Sequence, residues 1–338
     1  MVSLPVKYRP KTFDDMVWHA SVIQVLKRQI ETGNIKNAYL FAGHSGNGKT
    51  TCAKCFASLV NSGSGTPIEI DAASNNGVDN IRSLVQEASE RSLDSKYKVI
   101  ILDECQALTN ASWQALLKTI EEPPKFTIFI LCTTDPQKIP ETILNRVQRF
   151  NFGAIPYDKI VDRLRYVCEQ EGFTNYKESI ECIGKACNGC MREALTLLGK
   201  VADSGTNFDI ENTLSILGEV PVSVYTKLIN YLIDGDEKGV LSSLDEIEES
   251  GTEIKDFISA LLKFVVDVAK YILFSSLKST SIPETFENEI KSITNFDNAI
   301  GYYNYVMDKL LKLKMDITSD EDASTTVRVV CLQIARMQ

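Results

Sequence analysis

Eight consecutive residues, Gly43-His44-Ser45-Gly46-Asn47-Gly48-Lys49-Thr50, carry the strongest chemical signal in this 338-residue sequence. Their spacing fits G-x-x-x-x-G-K-[ST], a pattern whose chemistry is phosphate binding. Glycines let a backbone wrap an anion without Cβ clashes, so several N–H groups can point inward. Lys49 would reach the β- and γ-phosphates, and the Thr50 hydroxyl would hold Mg²⁺. Thr51 follows in the first turn of the helix that leaves the loop, where the helix N-terminus adds partial positive charge. A glycine-rich turn that binds nothing is the alternative, and eight matched positions weigh against it. The pattern implies a nucleoside triphosphate. A second constellation, Asp103-Glu104, closes the apolar run Lys98-Val99-Ile100-Ile101-Leu102. An acidic residue ending a strand beside such a loop can hold Mg²⁺ through water, which suits Asp103. Glu104 can then polarise the attacking water as a general base. The dipeptide alone is common after strands; coupled to Gly43–Thr50 it points to hydrolysis.

These residues need elements that hold them together, and the pattern supplies them. Ala38-Tyr39-Leu40-Phe41 reads as the strand feeding the loop, and a helix runs from Thr51 to about Val60. Pro67–Asp71 reads as a short strand, Val78 to about Arg91 as a helix, and Lys98–Glu104 as a buried parallel strand. A helix from about Ala111 to Glu122 is stopped by Pro123-Pro124. Phe126–Cys132 and, more weakly, Val147–Phe152 read as further strands. Such alternation predicts an α/β fold, a parallel sheet covered by helices on both faces. From about Ile155 the strand signal disappears. Helical periodicity fills Tyr157–Glu171, Tyr176–Asn188 and Met191–Ser204, with stops at Gly172, Gly189 and Gly205. Another helical region runs from about Pro221 to the end, with breaks expected at Gly235, Gly251, Ser279–Pro283 and about Gly301.

Composition bounds the function. An apolar fraction of 44% and a charged fraction of 24% are those of an ordinary soluble protein. The longest apolar stretch, around Ile258 to Leu273, is broken by Lys263, Asp267 and Lys270, so no membrane span is expected. The N-terminus has no signal-peptide core, so a cytoplasmic protein is expected. The net charge of −9 is uneven: 17 basic face 15 acidic residues in residues 1–155, and 19 face 30 thereafter. Any nucleic-acid face must therefore be local. Nine cysteines include two C-x-x-C pairs, Cys52/Cys55 and Cys187/Cys190, with one member of the first facing the core. Neither has a partner pair at zinc spacing, and the two histidines, His19 and His44, are far off in sequence. Free structural thiols are expected, and no zinc.

An ordered set of further segments is highly specific. It comprises Lys7-Tyr8-Arg9-Pro10 with Phe13, Glu69–Ser74, Ala115–Pro124, Thr133–Pro140, Thr142–Arg146 and Gly189–Leu195. In these segments, collinear over roughly residues 5–220, the chain resembles the ATPase subunit family of the bacterial sliding-clamp loader, the tau/gamma subunits of DNA polymerase III, within the AAA+ class. The resemblance implies an AAA+ nucleotide-binding domain over 1–155, a small helical lid over 156–219 and an all-helical oligomerisation collar over 220–338. The collar region is acidic, with apolar stripes at Leu228, Leu232 and at Ile258, Leu261, Leu262, Val265. The cofactors implied are ATP and Mg²⁺. Thr134 matches a position that touches the γ-phosphate or the attacking water, and Arg192 a lid arginine that folds over the phosphates. Arg146 matches an arginine that acts on a neighbouring subunit's γ-phosphate, with Arg149 close enough to substitute. Adenine would sit between Tyr8-Arg9-Pro10, the Met16-Val17-Trp18 segment and the lid. Implied partners are copies of the chain or related subunits in a ring, a sliding clamp, and primed DNA recognised by backbone and shape.

Four departures from the family stand out. No four-cysteine zinc module follows the phosphate-loop helix. Cys105-Gln106 stands after Asp-Glu where the family has a hydrophobic residue and His. The chain ends without the family's long C-terminal extensions, which reads as a minimal loader ATPase of phage or mobile-element origin, or as a truncated or short isoform. Within the Ser-Arg-Cys motif only the arginine survives, as Asn145-Arg146-Val147. Asp103-Glu104-Cys105-Gln106 has a helicase-box look, but a helicase needs a second sheet that residues beyond 155 do not offer. A non-hydrolysing scaffold subunit of the same ring would lack Lys49 or the acidic pair, and both are intact. Another DNA-associated AAA+ ATPase, of branch-migration or initiator type, is less favoured by Leu116–Pro124 and Thr133–Pro140.

Overall fold

A computed structural model describes residues 2–218, 220–318 and 322–336 of the chain. The boundary expected between 219 and 220 touches Glu219, which lies outside the described residues. Two compact units are present: Met1–Gln170 with Cys187–Gly199, and Glu171–Ala186 with Lys200–Gln338.

In the first unit, five strands form one parallel sheet: β1 (Ala38–Gly43), β2 (Ile68–Asp71), β3 (Lys98–Asp103), β4 (Thr127–Thr133) and β5 (Gln148–Phe152). Their order is β2-β3-β4-β1-β5, with Leu40 opposite both Leu131 of β4 and Arg149 of β5. The two-residue period of a strand sorts the apolar side chains onto opposite faces. Tyr39, Phe41, Val99, Ile101, Ile128 and Ile130 join one core with Leu26 and Phe56 of the helices Ala20–Glu31 and Lys49–Val60. Leu40, Ile100, Leu102, Phe129 and Leu131 join the other, under Leu84 of Val78–Ala88 and Leu116 of Asn110–Glu121. Every residue of β4 is buried, as a central parallel strand covered on both faces requires. The α/β architecture expected from the alternation is the one observed.

Helix boundaries follow local chemistry. Thr109 caps Asn110–Glu121 by accepting a hydrogen bond from the Ser112 amide at 3.2 Å, and Pro123 follows its end. Lys49–Val60 begins instead at Gly48, in the left-handed region at φ 93°, with no side-chain cap. Its first-turn N–H groups are left for another acceptor. Val78–Ala88 is one turn shorter than the sequence suggests, and both Cys52 and Cys55 are buried rather than one.

The second unit is helical, apart from an isolated bridge between Thr174 and Asn207. Its long helices include Val222–Asp234, Glu237–Glu249, Ile254–Phe274, Ala299–Asp316 and Ala323–Ala335. Gly235 and Gly251 end helices as expected, both at positive φ. Gly301 does not: it lies inside Ala299–Asp316, and the break falls at Asn295–Asn298. The stripes at Leu228, Leu232, Ile258, Leu261 and Val265 pack into this unit's own core, with Leu262 partly buried beside them. No helix among the described residues is long and apolar enough to cross a membrane. No disulfide joins any of the nine cysteines, and only Cys190 is not buried. Burial pushes the thiol of Cys55 up to about 11 and those of Cys168 and Cys331 up to about 12. Among the described residues no group of three or more His, Cys, Asp or Glu side chains is placed to hold a metal.

Candidate nucleotide-binding site

β1 runs straight into Gly43–Gly48, so the loop opens at the carboxyl end of the sheet, where parallel sheets bind ligands. Gly46 (φ 73°) bends under the start of the helix Met191–Asp203, and a Cβ there would run into Cys190 Sγ and lie 3.1 Å from Arg192 Cβ. Only glycine fits that bend. Lys49 is 5% exposed, and its Nζ donates to the carbonyls of Gly43 (2.7 Å) and His44 (2.9 Å). Burial holds its pKa below the ordinary lysine value; Glu104 and Asp103 oppose that, and Arg192 adds to it. A buried ammonium held only by carbonyls, beside uncapped helix amides, suits an anion. His44 itself is exposed at the loop's outer turn.

β3 lies two strands away and brings in the acidic pair. Thr50 Oγ1 donates to Asp103 Oδ2 at 2.7 Å, which joins the two residues expected to hold Mg²⁺. Glu104 follows in the left-handed region at φ 49°. Its Oε2 accepts from Thr134 Oγ1 at 3.2 Å and from Gln106 Nε2 at 2.6 Å. Thr134 thus stands beside Glu104 just past the end of β4, while Gln106, noted in the sequence only as a departure from the family, was not among the expected site residues.

One pocket is lined by Tyr8, Arg9, Pro10, Val17, Ser45–Thr51, Asp103, Glu104 and Arg192, so most expected residues converge. Arg163, missed in the sequence, pins the N-terminal segment by donating from Nη2 to the Tyr8 carbonyl at 3.0 Å. His19, also missed, is 7% exposed, and its Nε2 donates to the Asn47 carbonyl at 3.0 Å while Asn47 Nδ2 donates to the Gly153 carbonyl. Its being one of only two histidines was the available signal. Burial holds His19 below the ordinary histidine value. As pH falls through that ordinary value, the unfolded chain takes up this proton before the folded one, so the folded state loses stability. The melting temperature is therefore expected to fall between pH 7 and 5.5, and less steeply in His19→Gln. Equal slopes in the two proteins would refute this role for His19.

Arg146 and Arg149 lie outside the pocket. Arg146 is exposed, pairing with Glu121 Oε1 at 2.8 Å and donating to the Thr142 carbonyl. Arg149 projects from β5 and donates from Nε to Asn151 Oδ1 at 2.9 Å.

Comparison with known proteins bears on this geometry. A family model described as DNA polymerase III, delta subunit matches residues 64–156. The DNA polymerase III tau subunit of Bacillus subtilis is 36% identical over 305 residues, which cover 82% of this chain and 54% of that protein. The gamma/tau subunit of Mycoplasma genitalium is 31% identical over 317 residues, covering 86% and 52%. The gamma subunit of Buchnera aphidicola (Schizaphis graminum) is 29% identical over 351 residues, covering 97% and 96%. The chain is a relative of the DNA polymerase III tau and gamma subunits. This tau/gamma-like chain spans about half the length of the first two relatives and nearly all of the third. The fold of the tau/gamma-like chain is AAA+: the RuvB Holliday junction branch migration motor of Thermotoga maritima superposes with a TM-score of 0.52, at 18% identity, over 73% of this chain and 86% of RuvB.

Proposed function

We propose that this chain is an ATP-hydrolysing subunit of a ring that opens a sliding clamp and places it on primed DNA. The observation that supports this best is the meeting of Lys49, the Thr50–Asp103 pair and Glu104 at the carboxyl ends of β1 and β3 in a tau/gamma-like chain. The backbone of Gly43–Thr51 would wrap the phosphates and Lys49 would face the β- and γ-phosphates. Tyr8-Arg9-Pro10 and Val17 would hold the base, with Arg192 over the phosphates. Thr50 and Asp103 would hold Mg²⁺, which when bound neutralises phosphate charge and orients the γ-phosphate. Glu104 takes the proton of the attacking water, and Thr134 orients that water or the γ-phosphate. Arg146 reaches the γ-phosphate of a neighbouring subunit. Residues 1–155 are read as the nucleotide-binding domain, 156–219 as the lid and 220–338 as the collar.

The test is ATP hydrolysis by the full chain with its ring partners, with and without primed DNA plus a ring-shaped clamp. A rise with both together is expected. Hydrolysis indifferent to the clamp would indicate another DNA-directed ATPase, and binding without turnover a scaffold subunit.

For the collar, the apolar surface left over is informative, because the stripes are used internally. Leu273 and Phe274 close the helix Ile254–Phe274 at 66% and 68% exposure. Replacing both with Asp is expected to leave helicity unchanged and weaken self-assembly about tenfold or more, as loss of an apolar anchor does. Light scattering reads the mass; undiminished assembly would refute the role of this pair.

A further inference from the structure

Gln106 stands at the centre of a closed hydrogen-bond network, and this residue is one of the chain's departures from its family. Its Nε2 donates to Glu104 Oε2 at 2.6 Å and to Thr134 Oγ1 at 2.8 Å. Its Oε1 accepts from Thr133 Oγ1 at 2.7 Å and from the Thr134 amide at 3.4 Å. The orientation of the amide is fixed by its surroundings. Turned over, its NH₂ would face the Thr134 N–H and its oxygen would face the Glu104 carboxylate, replacing attraction with repulsion. The Thr134 hydroxyl, accepting from Gln106, passes its own hydrogen to the same Glu104 oxygen at 3.2 Å. Both donors take Oε2, which leaves Oε1 as the oxygen for water.

We propose that Gln106 is a positioning residue for hydrolysis: its amide aims the Glu104 carboxylate and fastens it to Thr134, so that base and γ-phosphate contact move as one body. The inference rests on the ATPase reading above. Thr134 is the last link before the phosphate. When its hydroxyl turns to a γ-phosphate, Glu104 keeps the Gln106 hydrogen bond alone, and its carboxylate stays aimed while one donor is withdrawn. Nucleotide occupancy is thereby passed to the base through one amide. Gln106, like Thr134, is absent from the residues lining the pocket, so its loss is expected to act on turnover more than on ATP affinity.

The experiment uses the full chain in its ring with primed DNA and clamp, and reads ATP affinity and kcat separately. Gln106→Leu is expected to lower kcat about 10- to 100-fold, the worth of a hydrogen bond to a charged group, with affinity within about twofold. Gln106→Glu keeps the shape and removes the donor, so it is expected to lose at least as much. If Gln106 merely filled space, the similarly sized, uncharged Gln106→Met would keep wild-type kcat, which would overturn the proposal. The double substitution Gln106→Leu with Thr134→Val is expected to be little worse than the stronger single one, because both act through Glu104. Fully additive losses would also overturn it. Absent turnover in the wild type sinks the ATPase reading and this inference together. Normal wild-type turnover, with Gln106→Leu unimpaired, sinks this inference alone.

Discussion

Arg146→Ala is expected to lower DNA- and clamp-stimulated hydrolysis by about two or more orders of magnitude, as loss of a γ-phosphate arginine does. Affinity of the same subunit for ATP should be nearly unchanged. The geometry is the reason. Arg146 does not line the pocket of its own chain, and it is exposed in a tether made by Glu121 and the Thr142 carbonyl. An arginine so placed suits a role on the γ-phosphate of another subunit. Mixing provides the sharper measurement. Arg146→Ala and Lys49→Ala subunits are each expected to be inactive alone, whereas an interface pairing the intact loop of one with the intact arginine of the other should turn over. Partial recovery in mixed rings is the expected result, and no recovery at any ratio would place Arg146 outside catalysis. Arg149 is the competitor: a larger loss in Arg149→Ala would move the role three residues along, onto the exposed face of β5.

Lys49→Ala and Glu104→Gln are expected to separate binding from turnover. Removing the Lys49 ammonium takes away the main cation facing the phosphates, so binding of a fluorescent ATP analogue should fall below detection. Glu104→Gln keeps the shape and removes only the base, so binding should persist while kcat drops by on the order of 10²–10⁴. Wild-type affinity in Lys49→Ala would refute the site.

The sequence made the sheet and the loop legible because both obey strong local rules. The unbroken apolar run Val99–Leu102, buried throughout, and the glycine spacing of 43–48 each leave few structural options. Thr50 and Asp103, both expected from the sequence to hold Mg²⁺, meet across 53 positions at 2.7 Å. Less legible were residues whose roles depend on a distant partner. His19 meets Asn47 and Arg163 meets Tyr8 only once the chain has folded, and nothing in their neighbours announces it. Gln106 was visible as a departure from the family, but its link to Thr134 is a product of β3 lying beside β4. Gly301 misled because a glycine inside a first helical turn costs about 1 kcal/mol relative to alanine, which packing overrides easily. Beyond residue 220 the apolar stripes fitted both core packing and an interface, and the structure places Leu228, Leu232, Ile258, Leu261 and Val265 in that unit's own core.

The distribution of thiols has a practical outcome. Eight sulfurs are sealed inside the fold, and the ninth, Cys190, lies against the bend at Gly46. A maleimide dye added to the native protein should therefore attach at one place, within ångströms of the phosphate loop. No engineered cysteine and no background removal would be needed. A dye at Cys190 would stand where its signal could report whether the loop is filled.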